Sequence, residues 1–258
     1  MPNYLIDSMT WSYSRVSAYE QCPYGFYLKY IESCDELPMF FSDFGSLIHD
    51  ILARYYAGKL PKEKAETEYL FRFPTEVRGK APSHEIKSSY FNQGLEYVRA
   101  LSPIPGKVLG VEEFVKFKVE DRKFIGFVDL VYEDEDGKLV ILDHKSRALK
   151  PRSKRKKPTK TDEELDRYLR QLYLYSIPIA EKYDRPVDFL EFNCYRTGVR
   201  IKEQFHAHEL DKTVSFLLQT IGNIAIDNSW SPNIDWFKCK NLCGLHEQCE
   251  YAQMISKD

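Results

Sequence analysis

The chain has 258 residues, 43% of them hydrophobic, with 37 Lys and Arg against 39 Asp and Glu and a formal net charge of −2. That length suits one large domain or two small ones with a sizeable core, and the near balance of charge excludes recognition of a polyanion by overall charge alone. The polar N-terminus lacks the apolar core of a secretory signal, and no run approaches the roughly 20 apolar residues of a membrane span, so the expectation is a cytoplasmic, intracellular protein without membrane contact.

In chain order, residues 14–32 predict a helix with Ser14 as N-cap and an interruption at Pro23. Residues 42–57 predict a second helix, because Phe44, Leu47, Ile48, Ile51, Leu52 and Tyr55 follow helical spacing and Gly58 is a natural stop. Residues 59–85 read as helix with loops, and 86–101 as a further helix. The period then changes. Val111, Glu113, Val115, Phe117 and Val119 alternate with polar residues as a half-buried strand does. Strands at 123–133 and 138–145 complete an antiparallel meander. Residues 145–160 hold nine Lys or Arg and no acid, which predicts a solvated, mobile loop able to contact phosphate. A helix at 162–183, strands at 187–195 and 199–206 around Thr197-Gly198, and a helix at 208–226 follow. The pattern predicts one α/β domain over 1–258: a helical N-terminal part (1–101), a core (108–207), and a C-terminal helix with a cysteine-rich segment (208–258).

Two sets of residues carry chemistry. The first lies on the central hairpin. If Gly137 takes the left-handed position of a three-residue loop, Asp134 pairs with Lys138. Asp129 then lies opposite Asp143, with Lys145 on the same face. Opposed Cβ atoms are roughly 4.5–5.5 Å apart. Carboxylates that close need a cation or a proton between them, and hard oxygen ligands suit Mg²⁺ or Mn²⁺. An ion pair of either Asp with Lys145 is the structural alternative. His49, one turn after Gly45, flanks the apolar stripe of its helix and gains weight only in combination. Glu113 falls on the apolar face of its strand, where either a water-bridged role at the site or an ion pair at the sheet edge would explain it.

The second set is Cys22, in a Cys-Pro pair, with Cys239, Cys243 and Cys249 in a C-x3-C-x5-C run. In a reducing setting such a cluster favours metal over disulfides. Four thiolates can hold Zn²⁺ or an iron–sulfur cluster, and the C-terminal trio with His246 can form a Cys3His zinc site. Cys34 and Cys194 read as ordinary thiols.

Taken together, these pieces resemble the PD-(D/E)XK nuclease superfamily, and within it the RecB-like branch that includes AddB nuclease domains and CRISPR-associated exonucleases. Tyr13-Ser14 through Cys22-Pro23 to Phe26-Tyr27 and Tyr30, Gly45-x-x-x-His49, Gly126-x-x-Asp129, Asp143-His144-Lys145 and Gln171-x-x-x-Tyr175 follow the order of that branch across most of the chain. Three positions depart from the pattern: Val128 replaces the nominal proline, Asp143 stands where many relatives carry Glu, and the Cys239–Cys243 spacing is one residue looser than a C-x2-C. The resemblance implies a restriction-endonuclease-like core, a mixed sheet flanked by helices. It implies His49, Asp129, Asp143 and the main-chain carbonyl of His144 as ligands of one or two Mg²⁺ or Mn²⁺ ions, with Lys145 acting on the attacked phosphate and Gln171 and Tyr175 positioning it. It favours a [4Fe–4S] cluster over Zn²⁺ on the four cysteines, joining the chain ends. The implied activity is a DNA exonuclease acting on single-stranded ends in recombination, repair or CRISPR spacer processing, with a helicase, recombinase or CRISPR integration protein as possible partner. A catalytically silent iron–sulfur or zinc DNA-binding scaffold is the alternative, and such a scaffold has no need of the His49, Asp129, Asp143 and Lys145 set.

Overall fold

The computed structural model describes residues 4–255, so the first three and last three residues of the expected 1–258 domain lie outside the described residues. The N-terminal part is helical: α1 (Tyr4–Asp7), α2 (Tyr13–Gln21), α3 (Pro23–Tyr30), α4 (Phe40–Tyr56), α5 (Lys62–Glu76) and α6 (His84–Arg99). Strands β1 (Lys107–Val119), β2 (Arg122–Glu133) and β3 (Leu139–Lys145) follow, then α7 (Lys160–Tyr183), β4 (Phe189–Cys194), β5 (Val199–Gln204) and α8 (Ala207–Ile226). Two short helices, α9 (Trp236–Asn241) and α10 (Glu250–Gln253), carry the cysteine-rich segment.

Several boundaries differ from the sequence expectation for physical reasons. The predicted helix at 14–32 starts as α2 with its cap two residues early, because the Ser12 side chain, not that of Ser14, accepts the Arg15 amide. It breaks at Cys22, which adopts an extended backbone and caps a new helix with Pro23 in its first turn. Proline lacks only an amide that would be unpaired there in any case. Residues 59–85 resolve into α5, which tolerates Pro74 near its end, and a separate cap at Ser83 for α6.

The sheet has five strands in the order β1-β2-β3-β4-β5. All neighbours are antiparallel except β3 and β4, which are parallel and joined by α7. A parallel pair needs a crossover of this kind. The result is the mixed sheet flanked by helices of the restriction-endonuclease-like fold. α7 buries Leu165, Leu169, Leu172 and Ile179 against one face of the sheet, with Ile141, Leu190 and Phe192. Its start is set by a capping box between Thr159 and Asp162. Asp162 also accepts from the amide and hydroxyl of Ser153, which anchors the end of the basic segment. Those hydrogen bonds hold the Asp162 carboxyl below its ordinary range. Arg147 and Arg152 in the same segment pair with Glu164, Asp166 and Glu203, so part of the basic stretch is tethered to α7 and β5.

A second core unites α4, α5 and α6 around Phe44, Leu47, Ile48, Ile51 and Tyr69, and Tyr195 just past β4 joins it. The buried stripe of α4 explains its amphipathic spacing, and it fixes which helix face turns toward the sheet. His49 flanks that stripe and is half-buried.

Candidate active site

The loop between β2 and β3 fixes the register from which the site is built. Gly137 takes a φ of +74°, and the Asp134 amide donates to the Lys138 carbonyl at 3.0 Å. Glu133 then pairs with Leu139, and the ladder runs to Leu130 opposite Leu142. One more step would set Asp129 level with Asp143, but there the ladder ends. The Asp129 carboxylate, through Oδ2, accepts the amide of His144 at 2.7 Å. A side chain thus satisfies a backbone donor that the diverging strand no longer meets. The site sits in this fork.

β1 is irregular at the same level. Val111 pairs with Leu130 and Glu113 with Val128, while Glu112 between them has a φ of +49°. Leu130 packs in a small cluster with Val140 and Leu142, whereas Val128, two residues away, belongs to the core under α7. The alternation of faces is therefore reset here. The consequence is a correction to the strand pattern. Glu113 points away from the fork, where its Oε1 takes Lys182 Nζ at 2.6 Å and Tyr183 Oη at 2.7 Å. It is the edge ion pair. Glu112 turns to the site instead: His49, Glu112 and Asp129 each offer a ligand atom, all within 4.8 Å of one another. Strict alternation missed Glu112. The signal that was available is Gly110, since an isolated glycine within a strand marks a bulge, and the register does shift between Val108 and Gly110.

His49 Nδ1 lies 3.4 Å from Asp129 Oδ2, and its Nε2 lies 2.9 Å from the carbonyl oxygen of His144. The His144 carbonyl therefore faces the site, as a main-chain ligand would have to. The His144 ring does not. It is buried, stacked on Tyr56 at 5.8 Å, and its Nδ1 accepts from Asn193 Nδ2 at 2.9 Å. Burial holds its pKa well below the ordinary histidine value, so the ring is neutral.

On the other side of the fork, Lys145 Nζ is 2.8 Å from Asp143 Oδ2 and donates to Gln171 Oε1 at 3.1 Å. It also lies 5.5 Å from the Tyr168 ring centroid and 5.9 Å from that of Phe192. Burial opposes its charge, but the adjacent Asp143 carboxylate outweighs it, and the ammonium is held charged. Gln171 is in turn hydrogen-bonded to Tyr175. The Tyr175 ring fills the space where a side chain on Gly126 would stand: an added Cβ would meet its ring atoms at 2.5 Å. Gly126 is thus required by close packing.

The electrostatics of the fork are those of an incomplete charge set. Burial, and then the neighbouring Asp143, push the Asp129 pKa well above the carboxylate range. Burial and Asp143 also raise Glu112. Burial lowers His49, keeping its imidazole neutral with a lone pair to offer. Two carboxylates disfavoured as anions by burial, an inward carbonyl and a neutral imidazole offer oxygen donors and one nitrogen that a divalent cation would satisfy. A depression of about 470 Å³ opens beside it, lined by Gly45, Ser46, His49, Asp50, Ala53 and Glu112.

The four cysteines named from the sequence come from both chain ends into one neighbourhood, but among the described residues they do not form a group drawn close enough to hold an ion, as His49, Glu112 and Asp129 do. Burial, and then the other three sulfurs, raise the pKa of Cys243; burial raises that of Cys249, and Cys22 and Cys239 add to it. Cys22 Sγ accepts the amides of Gly25 at 3.3 Å and Asn233 at 3.4 Å. The C-terminal segment docks on the N-terminal part through the Leu37 amide to the Gly244 carbonyl at 2.8 Å, and through Tyr24 against Glu250 and the Tyr251 ring. His246 is turned to its own segment, with Nδ1 2.9 Å from the Cys243 carbonyl oxygen. Cys194 is buried in the main core, and Cys34 is a free, half-buried thiol.

The sequence profile of the PD-(D/E)XK nuclease superfamily matches residues 10–252. No curated protein matches the chain. Among solved structures, a candidate exonuclease from Eubacterium rectale shares the fold with a TM-score of 0.54 at 12% identity, over 96% of this chain and 90% of that one. The crystal structure of SSO0001 aligns at 17% identity over 81% of this chain and 96% of its own, with a TM-score of 0.33.

Proposed function

The chain belongs to the PD-(D/E)XK nuclease superfamily, and from that premise we propose that it is a divalent-metal-dependent exonuclease of the RecB-like type, hydrolysing phosphodiesters at the ends of single-stranded DNA. The observation that carries the proposal is the fork between β2 and β3. There Asp129, the Asp143–Lys145 pair, His49 and Gln171 meet within one hydrogen-bonded arrangement.

In this reading His49, Asp129, Asp143 and the His144 carbonyl would hold Mg²⁺ or Mn²⁺, with Glu112 as a further ligand. The chemistry such an ion would supply is a lowered pKa for a water at the site and neutralisation of charge on the scissile phosphate. The remaining work falls to the chain. Lys145, fixed by Asp143 and Gln171, presents a permanent charge to the phosphate as negative charge accumulates on it. Gln171, braced by Tyr175, keeps that ammonium from collapsing wholly onto Asp143. The neutral His49 leaves the cation, not a proton, as the partner of Asp129.

In this reading the four cysteines would hold a [4Fe–4S] cluster. What supports it is four thiols from the two chain ends in one neighbourhood, with Cys22 Sγ accepting the amides of Gly25 and Asn233. In this proposal the cluster clasps residues 1–101 to the 208–258 segment and holds both against the 108–207 nuclease core of a single domain. Such a clasp suits an enzyme that trims DNA ends in recombination, repair or spacer processing.

The test of the exonuclease reading compares linear and circular single-stranded DNA of the same sequence, with Mg²⁺ or Mn²⁺. Loss of the linear substrate with the circle intact supports it. Equal cutting of both makes the protein an endonuclease, and cutting of neither by folded protein ends the enzymatic reading.

A further inference from the structure

β1 and β2 continue past the fork as a two-stranded arm, and the two faces of that arm are unlike. One face carries Val115, Val119, Phe124 and Phe117, packed into the main core. The other begins two residues beyond Glu112 and Asp129 with Phe114 directly opposite Phe127. Their ring centroids are 5.1 Å apart, yet the residues remain 49% and 56% exposed. Next on that face stand Lys116 opposite Ile125, then Lys118 opposite Lys123. All three lysines are exposed, and among the described residues none has an ion-pair partner. Of the acidic residues of the arm outside the fork, Glu113 is on the opposite face and paired with Lys182, and Glu120 and Asp121 lie in the turn at the tip, beyond the lysines.

This pattern is costly for a free strand pair. Two large rings in water forgo the burial that makes aromatic residues stabilising, and like charges directly opposed across a ladder repel. A cross-strand aromatic pair does favour a hairpin, but the arm is already secured. The amide of Trp11 donates to the Lys123 carbonyl at 2.8 Å, and the Ile125 amide donates to the Trp11 carbonyl at 2.9 Å. Rings that give a flat apolar surface, followed by cations, are what a single strand of nucleic acid needs: faces for its bases and charge for its phosphates. At about 3.3 Å per residue the rings lie roughly 7 Å along the arm from the fork, and the lysine pair roughly 20 Å.

We propose that the outer face of the β1–β2 arm is the binding track for single-stranded DNA leading into the fork, with Phe114 and Phe127 as a stacking platform and Lys116, Lys118 and Lys123 on the phosphates. The inference rests on the nuclease reading and specifies how its substrate is held. Charge complementarity and continuity with the fork favour nucleic acid over a protein partner for this surface.

The test measures equilibrium binding of a fluorescent oligonucleotide with Mg²⁺, in a Lys145→Ala background so that the probe is not consumed. Adding Phe114→Ala and Phe127→Ala together weakens single-strand binding by about tenfold or more, and Phe→Trp at both positions restores it. A blunt duplex of the same sequence, whose bases are not free to stack, loses far less. Lys118→Glu with Lys123→Glu weakens binding and flattens its salt dependence. If the alanine pair binds single strands as tightly as its parent, or loses single-strand and duplex binding equally without rescue by Trp, the platform is wrong. In that case cutting of single strands by the unmodified protein leaves the nuclease reading standing. If the unmodified protein neither binds nor cuts DNA, both fall together.

Discussion

The fork between β2 and β3 and the cysteine group at the chain ends are both candidate metal centres, but they are built in opposite ways. The fork is positioned by a continuous ladder, by a carboxylate on a backbone amide, and by a lysine gripped from two sides. Its geometry stands on the sheet, and a cation would add charge balance. The cysteine group is carried by short helices and turns from opposite ends of the chain, joined by a handful of hydrogen bonds and by the Tyr24–Tyr251 and Phe41–Phe237 ring pairs. There a metal would supply much of the rigidity. On the proposed reading, one centre would be a site that a metal completes, and the other a joint that a metal makes.

The contrast predicts opposite effects of ligand removal. Asp129→Asn keeps an oxygen for the His144 amide but removes the charge, so cleavage should fall by about a thousandfold. Its effect on stability has the reverse sign. The folded-state pKa of Asp129 is raised, so the folded chain binds that proton more tightly than the unfolded chain does. Stability of the metal-free protein therefore falls as pH rises from the ordinary carboxylate range through the raised value. At neutral pH, metal-free Asp129→Asn should melt above the parent, and thermal denaturation in a chelator checks this. A lower melting temperature would mean that Asp129 is held by structure we have not credited.

At the joint, Cys249→Ser should do the opposite. In the chain-entropy account, a crosslink spanning over two hundred residues restricts the unfolded chain by a few kcal/mol. Loss of the cluster should lower the melting temperature and expose the C-terminal segment to protease first. Iron and sulfide analysis of anaerobically purified protein tells the cluster from stoichiometric zinc.

Smaller effects sharpen the picture within the fork. Gly126→Ala drives a methyl into the Tyr175 ring and should cost about 1–3 kcal/mol, with a loss of activity because Tyr175 braces Gln171. Tyr175→Phe leaves that clash in place and should not rescue it. Glu112→Gln should weaken Mn²⁺ binding by about tenfold, as loss of a supporting metal contact does, measured by calorimetry on Lys145→Ala protein. Glu113→Gln should leave Mn²⁺ affinity unchanged.

What the sequence disclosed follows from where the information is local. The hairpin register was legible because Gly137 dictates the loop and alternation then places every residue up to the fork. The α4 stripe was legible because its apolar spacing is dense. Glu112 was hidden because a left-handed residue inside a strand resets the alternation, and pattern reading assigns the charge to its neighbour. The arm was hidden for a different reason. Its alternation marks a half-buried strand, but only the tertiary structure tells which ends of the strands outrun the helices and leave Phe114 and Phe127 in water. The Ser12 cap was missed because two serines flank Tyr13, and only the backbone decides between them.

The claim on which the rest depends is that the fork cuts DNA with Lys145 at its centre. Labelled single-stranded DNA incubated with Mg²⁺ or Mn²⁺ and either the parent protein or Lys145→Ala tests it directly. The parent should degrade the strand only with the metal, and the variant, folded and still binding Mn²⁺, should be slower by two to three orders of magnitude, about the loss expected when a group stabilising the transition state is removed. Equal cutting by both proteins would contradict the account.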